Sequence, residues 1–280
     1  MVLLSESKAL STRFWSMFFL LLLFSLPQDS FSFPLNRAVT ATDLLQAKSV
    51  EGAWKLVNTS GPKDARLAGA TAIRIAEDGF FTVAYFNHAD KKFIGTYGGT
   101  YTFSNGKIRE TLEFNTLDTA LVGSTFTGNS QFKGTTWKHG FTLGKRKSVQ
   151  TWERITGVSP VSPLNGAWRI SGRMGPDGKL TEMPLRVRRT IKILSGSRFQ
   201  WIAYNVETKE LSGTGGGTFT TQNGKYTEHI EFFSRDSSRV GNQLTFDFDI
   251  IDGKWHHSGL SSTGVPIDEY WQRHLETKEE

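Results

Sequence analysis

The 280-residue sequence has no cysteine, which removes disulfides and thiolate metal sites. It has no apolar run of the roughly 20 residues that a membrane span needs; the longest is FWSMFFLLLLFSL, Phe14–Leu26. His-Glu-x-x-His and Gly-x-Ser-x-Gly are both missing. The glycine-rich GTGGGT, Gly213–Thr218, lacks the Gly-Lys-Ser/Thr ending of a phosphate loop and leads into a strand pattern, not a helix. A β-bulge or a close backbone approach accounts for those glycines better. Dense basic tracts are also scarce. The formal charge is +6, but the basic residues are scattered, and the runs Lys145-Arg146-Lys147 and Arg186-Val187-Arg188-Arg189 sit in no helix-turn-helix or zinc-finger context. They read as solvated hairpin tips, so nucleic acid is not an expected partner. His256 and His257 are adjacent on a strand pattern and point to opposite faces, a poor chelate; neither a metal nor a cofactor is expected.

Aromatic residues are plentiful, with 21 Phe, 8 Trp and 6 Tyr. The N-terminus carries Lys8 and Arg13, the apolar stretch above, and small residues at Ser30 and Ser32. That order is that of a secretory signal peptide over residues 1–32, so the mature chain is expected to be secreted or periplasmic with no stable membrane span. Residues 38–47 suit a short helix.

The rest of the chain is written twice. Gly52-Ala53-Trp54 returns as Gly166-Ala167-Trp168, Glu110 as Glu228, Trp137 as Trp255, His139 as His257, and Trp152-Glu153-Arg154 as Trp271-Gln272-Arg273. A period near 118 residues is too long for a solenoid, so each copy is domain-sized. The expected units are residues 48–157 and 164–275, joined by a proline-containing linker at 158–163. Within each copy short alternating runs are separated by Asp-Gly, Asn-Gly and other glycine breaks, the signature of antiparallel hairpins. The predicted fold is all-β: two tandem antiparallel up-and-down β-barrels after the signal segment. Closure removes the sheet edges, and an eight-stranded barrel has room for one small ligand.

The opening Gly-x-Trp of each copy and the Arg near its last strand resemble the lipocalin and calycin barrels. The resemblance implies that Trp54 and Trp168 each close one barrel end, with Arg154 and Arg273 packed across them beside Gly52 and Gly166. The copies also look like the short lipocalin-like domains of uncharacterised secreted bacterial proteins. In those, a Gly-Gly-aromatic segment followed by Asn-Gly-Lys-x-x-Glu-x-apolar-Glu-Phe is a familiar string, here GGTYTFSNGKIRETLEF and GGTFTTQNGKYTEHIEF.

Strict alternation places Glu110 on one side with Ile108, Leu112 and Phe114, and Glu228 with Tyr226, Ile230 and Phe232. Glu113 and Glu231 fall on the other face. A carboxylate among apolar side chains is costly unless paired or hydrogen-bonded, so each Glu needs a partner. Trp137 with His139, Trp255 with His257, and Tyr85 and Tyr204, taken as matched positions, complete a candidate ligand-binding set that is apolar with a few orienting polar groups. The first functional expectation is an exported binding protein holding a small, partly apolar molecule in one or both barrels. A calycin-like isomerase or hydrolase using the Glu/His pair is the second, and a cell-surface interaction module the third. The sequence fixes neither a catalytic residue nor an oligomeric state.

Overall fold

The computed structural model describes residues 50–61, 64–143, 146–156 and 162–274. The expected signal segment, the short helix at 38–47 and most of the linker lie outside these residues. The described chain is all-β, as the sequence predicts. Eight strands form the first barrel: β1 (Gly52–Ser60), β2 (Thr71–Glu77), β3 (Phe80–Asn87), β4 (Lys92–Ser104), β5 (Lys107–Asn115), β6 (Thr125–Lys133), β7 (Thr136–Leu143) and β8 (Arg146–Arg154). Each pairs antiparallel with the next, and β8 pairs with β1 to close the barrel. The second barrel repeats this order with β9 (Gly166–Met174), β11 (Arg188–Ser195), β12 (Arg198–Asn205), β13 (Leu211–Gln222), β14 (Lys225–Phe233), β15 (Gln243–Ile251), β16 (Lys254–Leu260) and β17 (Pro266–Arg273), closed by β17 on β9. A short extra strand, β10 (Leu180–Glu182), pairs with the end of β9.

The hairpins follow from turn chemistry. At Asp78-Gly79, Asn105-Gly106, Asn223-Gly224 and Asp252-Gly253 both residues have φ between 50° and 75°, the requirement of the two-residue turn that matches strand twist. A second local device sits at Gly99 and Gly217, where the β4–β5 and β13–β14 registers each skip a residue. A side chain at either glycine would strike the backbone oxygen of Thr111 or His229. These bulges reverse the alternation beyond Leu112 and Ile230. Phe114 and Phe232, expected inside with the two glutamates, therefore point outward, a correction that only the extra residue explains.

That reversal builds the contact between the barrels. The outer faces of β2 and β3 meet those of β11 and β12 in a core of Ile73, Ile75, Phe86, Ile191, Ile193 and Tyr204, with Phe114 and Phe232 added from behind. The pairs are reciprocal. Phe86 stacks on Phe232 at 4.9 Å, and their counterparts Tyr204 and Phe114 meet at the same 4.9 Å. Gln200 Nε2 donates to Thr96 Oγ1 and to Thr214 Oγ1, both at 3.0 Å, and those two threonines are also counterparts. The contact thus has the isologous form of a two-fold interface, within one chain.

Candidate functional site

In each barrel the Gly-x-Trp tryptophan closes one end. Trp54 Nε1 donates to the Val50 carbonyl at 3.1 Å and Trp168 Nε1 to the Leu164 carbonyl at 2.8 Å. Arg154 lies over Trp54 with its guanidinium carbon 4.1 Å from the ring centre, and Arg273 over Trp168 at 4.0 Å. A side chain at Gly52 or Gly166 would run into these arginines.

On the strand beside each tryptophan stands a cation that the sequence reading missed. Trp54 pairs in register with Arg74 on β2, and Trp168 with Lys192 on β11. Both cations are buried. The Arg74 guanidinium lies between the Phe81 ring (4.3 Å) and the Trp137 ring (4.9 Å) and contacts Glu110 Oε1 at 2.7 Å. In barrel 2, Lys192 Nζ donates to Glu228 Oε1 at 2.8 Å and sits 5.3 Å from the centre of Trp255. These are the partners that the inward carboxylates require, for burying an ionised carboxylate without a counter-charge or hydrogen bonds is costly.

Above this floor lies a hollow in each barrel. The first, of about 330 Å³, is lined by Tyr85, Tyr97, Leu112, Leu117, Leu121 and Phe126, with Glu110, His139 and Gln150 at depth and Asp64, Arg66 and Asp118 at the mouth. His139 Nε2 is 3.7 Å from Glu110 Oε2. Burial pushes His139 below the ordinary imidazole range and Arg74 pushes the same way, while Glu110 opposes. Apart from the ion pair, Glu110 Oε1, Arg74 Nε and Nη2, and His139 Nδ1 have no hydrogen bond among the described residues.

The second hollow, of about 530 Å³, is lined by Trp201, Ile230, Phe233, Leu244, Phe246 and Trp271, with Glu228, His257 and Glu269 at depth. Its carboxylates are better satisfied, although both ring nitrogens of His257 lack a hydrogen bond among the described residues. Tyr226, whose counterpart is Ile108, donates its hydroxyl to Glu228 Oε1 at 2.9 Å. Glu269, which stands where barrel 1 has Gln150, pairs with Arg173 at 3.0 Å and lies 3.7 Å from His257 Nδ1. Burial pushes Glu269 up, but His257, Lys192 and Arg173 outweigh it and hold the carboxyl below its usual range. Burial, reinforced by Lys192, holds His257 below the imidazole range.

Of the eight residues in the expected set, five line the hollows and three do not. Tyr85, Glu110 and His139 line the first hollow, and Glu228 and His257 the second. Trp137 and Trp255 are fully buried and form the floor under the cations. Tyr204 does not reach the second hollow. It is the counterpart of Phe86, not of Tyr85, as its register opposite Arg189 shows. It lies between the barrels and donates its hydroxyl to Glu113 at 2.5 Å, where Glu113 also holds Arg189 at 2.6 Å. Arg74, Lys192, Gln150 and Glu269 were missed. Among the described residues no group of three His, Asp or Glu side chains is placed to hold a metal ion, and no helix is long and apolar enough to cross a membrane.

No protein-family model matches the chain, and no curated protein matches it. A solved structure of a tryptophan-to-alanine mutant of the vaccine antigen transferrin binding protein B, from Haemophilus parasuis, aligns with 72% of this chain at 8% identity and a TM-score of 0.22. This chain covers 64% of that protein's length.

Proposed function

We propose that the protein is an exported binding protein, and that its first barrel holds a small, partly apolar molecule with a polar head. The observation that carries this reading is a carboxylate, Glu110, and an imidazole, His139, at depth in a largely apolar hollow, with His139 Nδ1 left without a hydrogen bond among the described residues. Buried polar atoms are normally hydrogen-bonded, so a bound polar group, or water in its place, is the natural complement. The apolar walls would take the body of the ligand, and the hollow's size falls within the usual range for small-molecule sites. The Gly-x-Trp and late-Arg arrangement, with its likeness to lipocalins, and the signal-like N-terminus support the same reading.

The ion pairs favour binding over acid–base chemistry. Each inward carboxylate is already engaged by a cation, at 2.7 or 2.8 Å, and so is held at the base of its barrel instead of being left free to meet a substrate. The hollows count against a purely external interaction module, for which filled interiors would suffice.

The test is fluorescence titration of the mature chain with the neutral probe N-phenyl-1-naphthylamine, alongside native mass spectrometry of gently purified protein. Uptake by the wild type that is lost in Leu121→Trp, which plugs the mouth of the first barrel, is the expected result. A wild type that takes up no probe and carries no copurified mass overturns the reading.

A further inference from the structure

The two mouths are made by equivalent loops with opposite chemistry. After β5, Leu117 and Leu121 reach the first hollow. Their counterparts after β14, at the same 118-residue spacing, are Arg235 and Arg239, which line the second. The equivalence is structural as well as sequential. Asp118 and Asp236 cap matching single turns of 3-10 helix. A side chain built at Gly95 would strike Leu117, and one built at its counterpart Gly213 would strike Arg235. A third exchange lies across the mouth, where Arg188 stands in place of Ala70.

Two of these three guanidiniums, Arg188 and Arg235, have no acidic partner among the described residues. Arg235 Nε donates to the Ser212 carbonyl at 2.6 Å, which fixes the side chain and leaves its two Nη groups without a partner among the described residues. Arg188 has no ion-pair partner among the described residues. Arg239 is held by Asp236 at 3.0 Å and by the Ser262 carbonyl. Deeper in, Glu228 and Glu269 already have Lys192 and Arg173. The rim thus presents three arginines against one aspartate over a low-dielectric hollow, a geometry that concentrates positive potential. Trp201 and Phe233 line the same hollow and meet edge to face at 5.5 Å, an angled apolar wall.

We propose that the second barrel binds an amphipathic oxyanion: a ring-sized apolar body against Trp201 and Phe233, with a sulfonate, phosphate or carboxylate held by Arg188, Arg235 and Arg239. Guanidinium groups suit this role because their planar donors match oxyanions in pairs. The inference rests on the reading of the hollows as binding sites and adds that the two copies have divided their ligands by charge.

The experiment titrates the full mature chain with 8-anilinonaphthalene-1-sulfonate and, separately, with its uncharged parent N-phenyl-1-naphthylamine. Arg235→Leu/Arg239→Leu, which restores the first barrel's residues, is expected to weaken the sulfonate probe by about tenfold or more, as the loss of charge-assisted hydrogen bonds implies. The neutral probe's affinity for the first barrel is expected to stay unchanged, and Arg235→Lys/Arg239→Lys to retain most of the sulfonate binding. Thermal melts by circular dichroism establish that the variants fold, which the solvent-facing position of the rim favours. Equal sulfonate affinity in the wild type and in the double leucine variant overturns the proposal. Should the neutral probe fail while arginine-dependent sulfonate binding persists, the reading of the first barrel falls and this one stands.

Discussion

Ser195 donates a hydrogen bond to Glu77 at 2.5 Å, and the two residues are each other's counterparts in the repeat. Each lies at the end of its strand, β2 or β11, where the two barrels touch. The contact marks the approximate two-fold axis relating the copies, and it puts a carboxyl where water is largely shut out.

Burial raises Glu77 to about 7, with Ser195 opposing through its hydrogen bond. In the unfolded chain the group titrates near 4.5. The folded state therefore retains the proton longer, so this group's stabilising contribution is complete below about pH 4.5 and is lost as pH rises through 7. Glu77→Gln keeps a neutral partner for Ser195. It is expected to gain on the order of 2 kcal/mol over the wild type at alkaline pH and nothing at acid pH. Urea unfolding across this window checks it; parallel curves for the two proteins would refute it.

Three buried histidines act in the other direction. Burial lowers His139, His257 and His274, the last to about 4, with its ring edge-on to Phe80 at 4.9 Å. Each contributes stability that is present above about pH 6.5 and is lost as pH falls and the unfolded chain takes up protons first. His274→Gln is expected to flatten the acid side of the stability profile. The lost dependence should amount to about 3 kcal/mol between pH 6.5 and 4, measured by denaturant midpoints.

The Arg74–Glu110 pair is expected to be strongly coupled. Removing one member strands a buried charge, so Arg74→Met or Glu110→Leu should each cost about 3–5 kcal/mol. The double variant should cost much less than the sum, because no charge remains unpaired. Arg74→Lys, which copies the second barrel, should be tolerated best. A double-mutant cycle by urea unfolding measures the coupling, and additive losses would contradict it.

The second end plug is predicted to be coupled to the other barrel. Arg154 and Arg273 cover their tryptophans at nearly the same distance, but Arg273 Nη1 also contacts Asp78 Oδ2 of the other barrel at 3.0 Å. Asp78 accepts a further hydrogen bond from the Ala167 backbone at 3.0 Å. Stacking alone contributes about 0.5–2 kcal/mol at such sites. Arg273→Ala should therefore cost less in the Asp78→Ala background than in the wild type, because the contact with the other barrel is already gone. Melting temperatures of the four proteins decide it.

The fold was legible because its signals are local and repeated. Asn-Gly and Asp-Gly turns, alternating strands and a 118-residue period need no tertiary knowledge. Parity carried the placement of Glu110 and Glu228 correctly up to Leu112 and Ile230 and failed at the next inward position, because a bulge is invisible to a period-two rule. Tyr204 was misplaced by a single residue, since AYFN and AYNV invite alignment on their tyrosines although the strand register pairs Tyr204 with Phe86. Arg74 and Lys192 escaped notice because a charged residue between isoleucines, as in IRI and IKI, reads as a solvent-facing position. The signal that could have found them was their recurrence at the repeat spacing, together with the counter-charge that an inward Glu demands. The contrast between the two mouths lay in the same alignment, at Leu117 and Arg235, but only the loop geometry assigns those residues to a rim.

The reciprocal contact between the copies has an ancestral meaning. Two identical barrels meeting through β2 and β3 would form a closed homodimer, and a tandem fusion of their genes would yield the arrangement found here, with each half free to mutate separately. Once joined, the halves no longer had to be the same at any site off the shared axis. A pair of pockets that symmetry would have kept identical could then specialise, with leucine at one lip and arginine at the other.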